Sequence, residues 1–325
     1  MGKGSNMSLY LVTGGAGFIG SNIAETLVSK GAHVRVIDDF STGRPENLQT
    51  FQDRVEFRKL DICNFSELRQ AVEGVEYVLH QAAIPSVPRS VIDPISSHNA
   101  DVTGTLHVLW ASKEAGVKRV VYAASSSAYG DSERLPKHEE MPVKPISPYG
   151  LMKYVGEEYC RIFTALYGLE TVSLRYFNVF GPRQDPTSQY SGVLSRFITS
   201  MLMEKPPVIF GDGEQSRDFT YVANVVNANL LACHSPKAAG RMYNVACGQR
   251  ISLNEVVDVL NRILGTQLSA IHESPRVGDI KHSLADIERA KSELGYVPSV
   301  GFEQGLNQTV EWYRTYLERS IHPAT

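Results

Sequence analysis

The run Thr13-Gly-Gly-Ala-Gly-Phe-Ile-Gly20 constrains the fold of this chain more than any other stretch. It stands between a short apolar segment, Leu9–Thr13, that reads as a strand, and a helical pattern from Phe18 to Ser29. Gly14, Gly17 and Gly20 recur at every third residue. Glycines so spaced permit a tight turn, close approach of backbone to a pyrophosphate, and tight packing of helix on strand. The helix start then presents free N–H groups and the positive end of its dipole to phosphates. A glycine triplet by itself is weak evidence, but the strand–turn–helix context points to a bound dinucleotide. Asp38 ends the next Val/Ile-rich segment, His33–Asp38, eighteen residues after Gly20. A carboxylate there accepts hydrogen bonds from ribose hydroxyls and repels a 2′-phosphate, so NAD is favoured over NADP. Arg44, close by, is the reservation. Asp61 either meets the adenine or caps a helix.

The alternation continues. Val55–Leu60, Val75–Leu79, Arg119–Ala123 and Thr171–Arg175 read as strands, with helices expected at Phe65–Val72, Thr103–Ala115 and Pro148–Leu166. Such βαβα order implies an α/β fold with a doubly wound parallel sheet, helices on both faces, and ligands beyond the carboxyl ends of the strands. Ala83–Ser97, with Pro85, Pro88 and Pro94, is expected to be a loop at that edge. After Tyr176 the rhythm loosens. Helices are expected at Val193–Met203, Val222–Cys233, Leu253–Leu264, Asp286–Leu294 and Phe302–Leu317, and strands at Pro207–Gly211 and Met242–Ala246. A length of 325 residues suggests two lobes. We expect a Rossmann domain of residues 1–177 plus about 219–250, and a smaller mixed α/β lobe of about 178–218 plus 251–325.

Composition narrows the partners. With 42% hydrophobic and 21% charged residues, the chain is an ordinary globule rather than a disordered or collagen-like one. The formal charge of −3 comes without a basic stripe, so nucleic acid is not an expected partner. No run of eighteen apolar residues predicts a membrane span. Met1–Ser8 lacks the apolar core of a signal peptide, Met7 offers an alternative start, and a cytoplasmic location is expected. Cys63, Cys160, Cys233 and Cys247 form no CxxC, and the histidines show no metal-ligand spacing, so neither disulfide nor metal is expected.

Tyr149 and Lys153 stand four apart at the opening of a predicted helix and share one face. An ammonium, together with an oxidised nicotinamide, lowers a phenol's pKa and makes it a competent general base for a sugar or alcohol hydroxyl. Ser125-Ser126-Ser127 ends the strand before it.

With the glycine turn, Asp38, His80-Gln-Ala-Ala83, Asn99, Ser125–Gly130, Tyr149–Lys153 and Arg175-Tyr-Phe-Asn178 in order, the chain resembles the extended short-chain dehydrogenase/reductase superfamily from about Ser8 to Tyr313. Gly211–Phe219 and Arg276–Asp279 are similar to the UDP-sugar 4-epimerases. The resemblance implies that NAD stays bound while Tyr149 takes the 4-hydroxyl proton, Ser125 relays it, and Lys153 holds the nicotinamide ribose. It implies NAD contacts from Gly14, Gly17, Phe18, Ile19, Gly20, Asp38, Asp39, Ser41, Thr42 and Gly43. Asp61, Ile62, Gln81, Ala82, Ala83, Asn99 and Tyr176 join them, with Tyr149 and Lys153. For a UDP-sugar it implies Ser86, Ser125, Ser126, Tyr149, Gln184, Gly192, Val193 and Ser283. Asn178, Arg217, Arg276 and Asp279 would bind the UDP, with Val208 and Phe210 flanking the uridine. Asn178 capping a turn, and Arg217 with Asp218 as a surface ion pair, are the structural alternatives. A homodimer through a four-helix bundle of Thr103–Ala115 and Pro148–Leu166 is also implied.

Sister families differ at a few positions. Nucleotide-sugar dehydratases carry Asp-Glu directly after the active-site hydroxyl, where this chain has Ser126-Ser127, and UDP-glucuronate decarboxylases usually carry Glu in place of Ser127. Uronate 4-epimerases tend to show Thr in place of Asn178 and Arg in place of Asp185, and an acid at 185 is expected to repel a uronate. Epimerases restricted to glucose and galactose have a tyrosine in place of Ser283, which leaves room for a 2-acetamido group. Pro85 departs from the hexosamine subgroup's usual glycine. The resemblance therefore implies a 4-epimerase for UDP-GlcNAc/UDP-GalNAc and also UDP-Glc/UDP-Gal. The other readings are a UDP-hexose-only epimerase, a hexuronate epimerase or decarboxylase, and a non-catalytic NAD(H)-binding protein.

Overall fold

The computed structural model describes residues 8–186, 192–275 and 281–321. Its first half runs β1 (Leu9–Thr13), α1 (Phe18–Ser29), β2 (His33–Asp38), β3 (Glu56–Lys59), α2 (Phe65–Val72) and β4 (Tyr77–His80). Next come α3 (Val87–Ile92), α4 (Pro94–His98), α5 (Gly104–Glu114), β5 (Arg119–Ser125), α6 (Pro148–Tyr167) and β6 (Glu170–Tyr176). The second half holds β7 (Val179–Phe180), α7 (Val193–Leu202), β8 (Val208–Phe210), β9 (Ser216–Arg217), β10 (Thr220–Tyr221) and α8 (Val222–His234). It closes with β11 (Arg241–Val245), β12 (Ile251–Ser252), α9 (Leu253–Leu264), β13 (Ile271–Glu273), α10 (Glu288–Leu294) and α11 (Phe302–Ile321).

Seven strands form one sheet in the order β11-β6-β5-β4-β1-β2-β3, parallel throughout. Its central strands β1, β4 and β5 are buried at nearly every position because helices cover both faces. Along β1, Tyr10 and Val12 join one buried cluster with Ile23 and Leu27 of α1, and Leu11 joins the other with Leu68 of α2 and Val108 of α5. Strand order reverses between β1 and β4, where Thr13 lies beside His80. A crevice at such a reversal is where doubly wound sheets bind ligands. β10 with β7, β12 with β9 and β13 with β8 form two-stranded sheets outside this one.

The stretch from Ala83 to Ser97 is not the expected loop. Ser86 and Asp93 cap α3 and α4, and Pro88 and Pro94 fall in their first turns. A proline there has no hydrogen bond to forfeit, so residues that look like breakers start helices. A π-turn, Asn99–Thr103, then leads into α5. Among the described residues no helix is long and apolar enough to cross a membrane.

Candidate active site

The glycine turn lies at the carboxyl end of β1, before α1. Gly14 has φ +63°, and a Cβ there would meet the Ala82 backbone at 2.7 Å. Gly17 caps α1 without any side-chain hydrogen bond. Asp38 is buried at the end of β2, where its carboxylate accepts from the Ala16 N–H (2.9 Å) and the Phe40 N–H (2.8 Å). It thus pins the turn to the strand, and each oxygen keeps a lone pair for a ribose hydroxyl. A Cβ on Gly43 would lie 2.5 Å from that carboxylate. Asp39, Ser41 and Thr42 are exposed on the same loop, with Asp39 accepting from the Ser41 N–H at 2.8 Å. Arg44 is engaged by Asp185 (2.5 Å) and the Tyr316 hydroxyl (2.6 Å), which answers the reservation about a 2′-phosphate. Asn64, not Asp61, caps α2, so the capping alternative for Asp61 fails.

At the switch point a buried hydrogen-bond chain fixes its own polarity. The Ala82 N–H donates to Thr13 Oγ1 (3.2 Å), and Thr13 Oγ1 is 2.7 Å from His80 Nδ1. His80 Nε2 is 3.0 Å from Thr105 Oγ1, which donates to the Asp101 carbonyl (2.7 Å). Thr105 has its one hydrogen on Asp101, so His80 carries its proton on Nε2 and accepts from Thr13 through Nδ1. Burial pushes His80 down to about 3 from 6.5, keeping it neutral. The unfolded chain therefore binds the extra proton between those values. Stability is expected to fall as pH drops from 6.5 toward 3, by up to about 1.4 kcal/mol per pH unit. Urea unfolding across that range should show a shallower decline for His80→Gln.

The catalytic candidates converge at the ends of β5 and α6. Ser147 caps α6 and Tyr149 follows in its first turn, its N–H donating to Ser90 Oγ (3.0 Å). Lys153 is buried one turn on, and its ammonium donates to the Ala123 carbonyl at 3.0 Å. Ser125 acts on the Tyr149 phenol, favouring its ionised form. Ser125 Oγ also accepts from the N–H (3.2 Å) and the hydroxyl (2.8 Å) of Ser127. Burial, and then the Asp101 carboxylate, hold the Tyr149 phenol well above the ordinary tyrosine range, while Ser125 pulls it down. Gln81 accepts from the Tyr176 hydroxyl (3.1 Å), which in turn accepts from Asn229 (2.8 Å), so the Tyr176 ring is held at the end of β6. Phe18, Ile19, Ala82 and Ala83 are partly exposed along this edge and Ile62 is buried behind it. Asn99 is exposed, with its carbonyl accepting from the Cys63 thiol.

Beyond the carboxyl end of β6 lies a cavity of about 380 Å³. Asn178, Val208, Phe210 and Arg217, the UDP candidates, border it together with Gln184, Gly192 and Val193, the sugar candidates. Ser125, Tyr149 and Ser126 do not. Ser86 is buried, with its oxygen accepting from the Arg89 N–H (3.1 Å) as the cap of α3, and does not reach the cavity either. Ser283 lies beside β9, its N–H donating to the Ser216 carbonyl (3.0 Å). Arg276 and Asp279 lie outside the described residues. Asn178 donates to the Asp218 carbonyl (3.1 Å) with φ +36°. The alternative of an Arg217–Asp218 surface pair fails. Asp218 is buried and accepts from the backbone of Cys247, Gly248 and Ala285 at 2.9 to 3.1 Å. Arg196 and Gln215 also border the cavity. Sequence reasoning missed both; for Arg196 the available signal was its place three residues after Val193 on a helix.

Residues 10–246 match the family model for the NAD dependent epimerase/dehydratase family. The chain belongs to that family. It is 38% identical over 308 residues to UDP-glucose 4-epimerase of Mycolicibacterium smegmatis, covering 94% of this chain and 98% of that one. It superposes with a TM-score of 0.91 on UDP-N-acetylglucosamine 4-epimerase from Methanobrevibacter ruminantium M1 in complex with UDP-N-acetylmuramic acid, at 37% identity and 95% and 99% coverage. UDP-glucuronic acid 4-epimerase from Bacillus cereus, in complex with UDP-glucuronic acid and NAD, gives a TM-score of 0.87 at 31% identity with the same coverage.

This epimerase/dehydratase family member is an NAD-dependent enzyme, and its edge fits the cofactor. Gly14 and Gly20 let the turn close tightly, since a Cβ at either would run into the backbone of Ala82 or of Gly14, and α1 begins there without a side-chain cap. The anchored Asp38 would accept from the ribose hydroxyls. Among the described residues no cluster of His, Cys, Asp or Glu could hold a metal.

Proposed function

We propose that this enzyme inverts C4 of UDP-GlcNAc and UDP-GalNAc, and of UDP-Glc and UDP-Gal, through a 4-keto sugar. The observation that carries this reading is the convergence of Ser125 at the end of β5 with Tyr149 and Lys153, one helical turn apart at the start of α6, at the edge that also holds the glycine turn. NAD, held at the glycine turn and Asp38, would supply the hydride acceptor and donor that inversion at C4 needs. Tyr149 accepts the 4-hydroxyl proton as C4 is oxidised and gives it back on reduction. Ser125 receives two hydrogen bonds from Ser127, so its single hydrogen is free to point at the phenolate oxygen and stabilise it. Lys153 holds the nicotinamide ribose. Asn178 and Arg217, with Arg276 and Asp279, bind the UDP, the arginines as charge partners of the diphosphate, and Val208 and Phe210 flank the uridine.

The hydroxyls of Ser126 and Ser127 stand where dehydratases and decarboxylases need a carboxylate, which favours epimerisation over elimination. The small Ser283 supports acceptance of an acetamido group. Asp185 no longer argues against a uronate by repulsion, because Arg44 offsets its charge. Selection against a uronate then falls to Asn178.

Incubation with UDP-GalNAc should yield UDP-GlcNAc, and UDP-Gal should yield UDP-Glc. Turnover of UDP-glucuronate in place of both would overturn the hexosamine reading. Ser283→Tyr is expected to lower kcat/KM for UDP-GalNAc by at least about tenfold and to leave UDP-Gal nearly unchanged. Equal losses on both sugars would show that residue 283 is not the wall.

A further inference from the structure

We propose that Asp101 is the counter-charge of the Tyr149–Lys153 pair, a positioning residue that keeps the acid–base cluster neutral in both halves of the reaction. The inference rests on the roles given above to Tyr149 and Lys153. Asp101 sits in the π-turn that packs against α6, with no solvent exposure. Its Oδ1 accepts from the Ile84 N–H at 2.7 Å, whereas Oδ2 is buried without a hydrogen-bond partner. An ionised carboxylate so placed costs several kcal/mol unless an opposite charge faces it. Lys153, itself buried, is the cation that acts on it. Burial pushes the Asp101 carboxyl up and the Lys153 amine down, and each opposes that push on the other.

The surrounding groups add no further free charge. Tyr122 of β5 lies under the Lys153 ammonium, 5.1 Å from ring centre to nitrogen, and burial raises its phenol far above its ordinary range. His80 of β4 is neutral, and burial pushes the Cys160 thiol of α6 up to about 12. Glu157 of α6 is paired with Arg175. Three protein groups therefore set the charge: Asp101, Lys153 and Tyr149.

In the reaction, the C4–H bond breaks with its electron pair going to the nicotinamide, the O–H proton goes to the Tyr149 oxygen, and the C4 carbonyl forms. Before transfer, phenolate and Asp101 balance Lys153 and the cationic nicotinamide. Hydride transfer cancels the nicotinamide charge as proton transfer cancels the phenolate, leaving Asp101 and Lys153 balanced. With asparagine at 101 the cluster carries one excess positive charge in both states, which favours the phenolate.

The test is the ultraviolet difference absorbance of tyrosinate in NAD-loaded protein, with Tyr149→Phe as the blank. Asp101→Asn should lower the Tyr149 midpoint by about one pH unit, and the acidic limb of the kcat/KM profile should move with it. Asp101→Glu, which keeps the charge, should return the midpoint toward wild type. An unchanged or raised midpoint in folded, NAD-loaded Asp101→Asn would overturn the proposal. Should that variant not fold, nuclear magnetic resonance of labelled aspartate carboxyls in the wild-type protein decides. Asp101 should be ionised wherever Tyr149 titrates, and a protonated Asp101 there contradicts the proposal. A midpoint that moves in a protein turning over no UDP-sugar would leave Asp101 standing and remove the epimerase reading.

Discussion

Replacing Tyr149 with phenylalanine is expected to cut turnover by about 10²- to 10⁴-fold while NAD content and fold are retained. The change deletes one oxygen. The ring keeps its place because its position is set by backbone, with Ser147 capping the helix and Ser90 taking the Tyr149 N–H. Ser125 keeps its contacts with Ser127. Only the group that exchanges a proton with the sugar hydroxyl is lost, so kcat should fall far more than KM rises. Steady-state rates on UDP-GalNAc, alongside absorbance of the released cofactor, measure both. Wild-type turnover in this variant would show that another group is the base.

Glu157→Ala is expected to destabilise the fold by about 3–5 kcal/mol. Arg175 on β6 is buried at 1% exposure, and Glu157 on α6 meets it through two contacts, 2.6 and 2.8 Å. The guanidinium also lies 4.4 Å over the Tyr129 ring. Removing the carboxylate leaves a positive charge in the core on a guanidinium whose Nη1 already has no hydrogen-bond partner. Urea denaturation should show a lower midpoint. A double variant, Glu157→Met with Arg175→Met, should lose much less, since no charge is stranded. Equal losses in the single and double variants would mean that packing, not the buried charge, carries the effect.

The parts of the site legible in the sequence are those made by neighbours in the chain. The glycine turn, Asp38 and the Tyr149–Lys153 spacing each depend on a few consecutive residues, and the sheet follows from apolar runs alternating with helical ones. Misreadings arise where local chemistry has two outcomes. Pro88 and Pro94 suggest a broken loop, yet a cap before each turns the same residues into helix starts. Distant pairings were not legible. Asp185 reads as a bare acid near the sugar until Arg44, 141 residues away, is found on it. Asp101 carries no signal in the sequence, and only the packing of the π-turn on α6 brings its charge within reach of Lys153. The upward push on the phenol comes first from burial and then from Asp101, and neither is visible in the Tyr149–Lys153 spacing.

The central claim is that one bound cofactor removes the C4 hydrogen and returns the same hydrogen to the opposite face. UDP-GalNAc carrying deuterium at C4 tests it most directly. The account predicts UDP-GlcNAc with the deuterium retained at C4. Product that has exchanged its C4 hydrogen with water, a dehydrated or decarboxylated sugar, or no product from either UDP-hexosamine or UDP-hexose would contradict it.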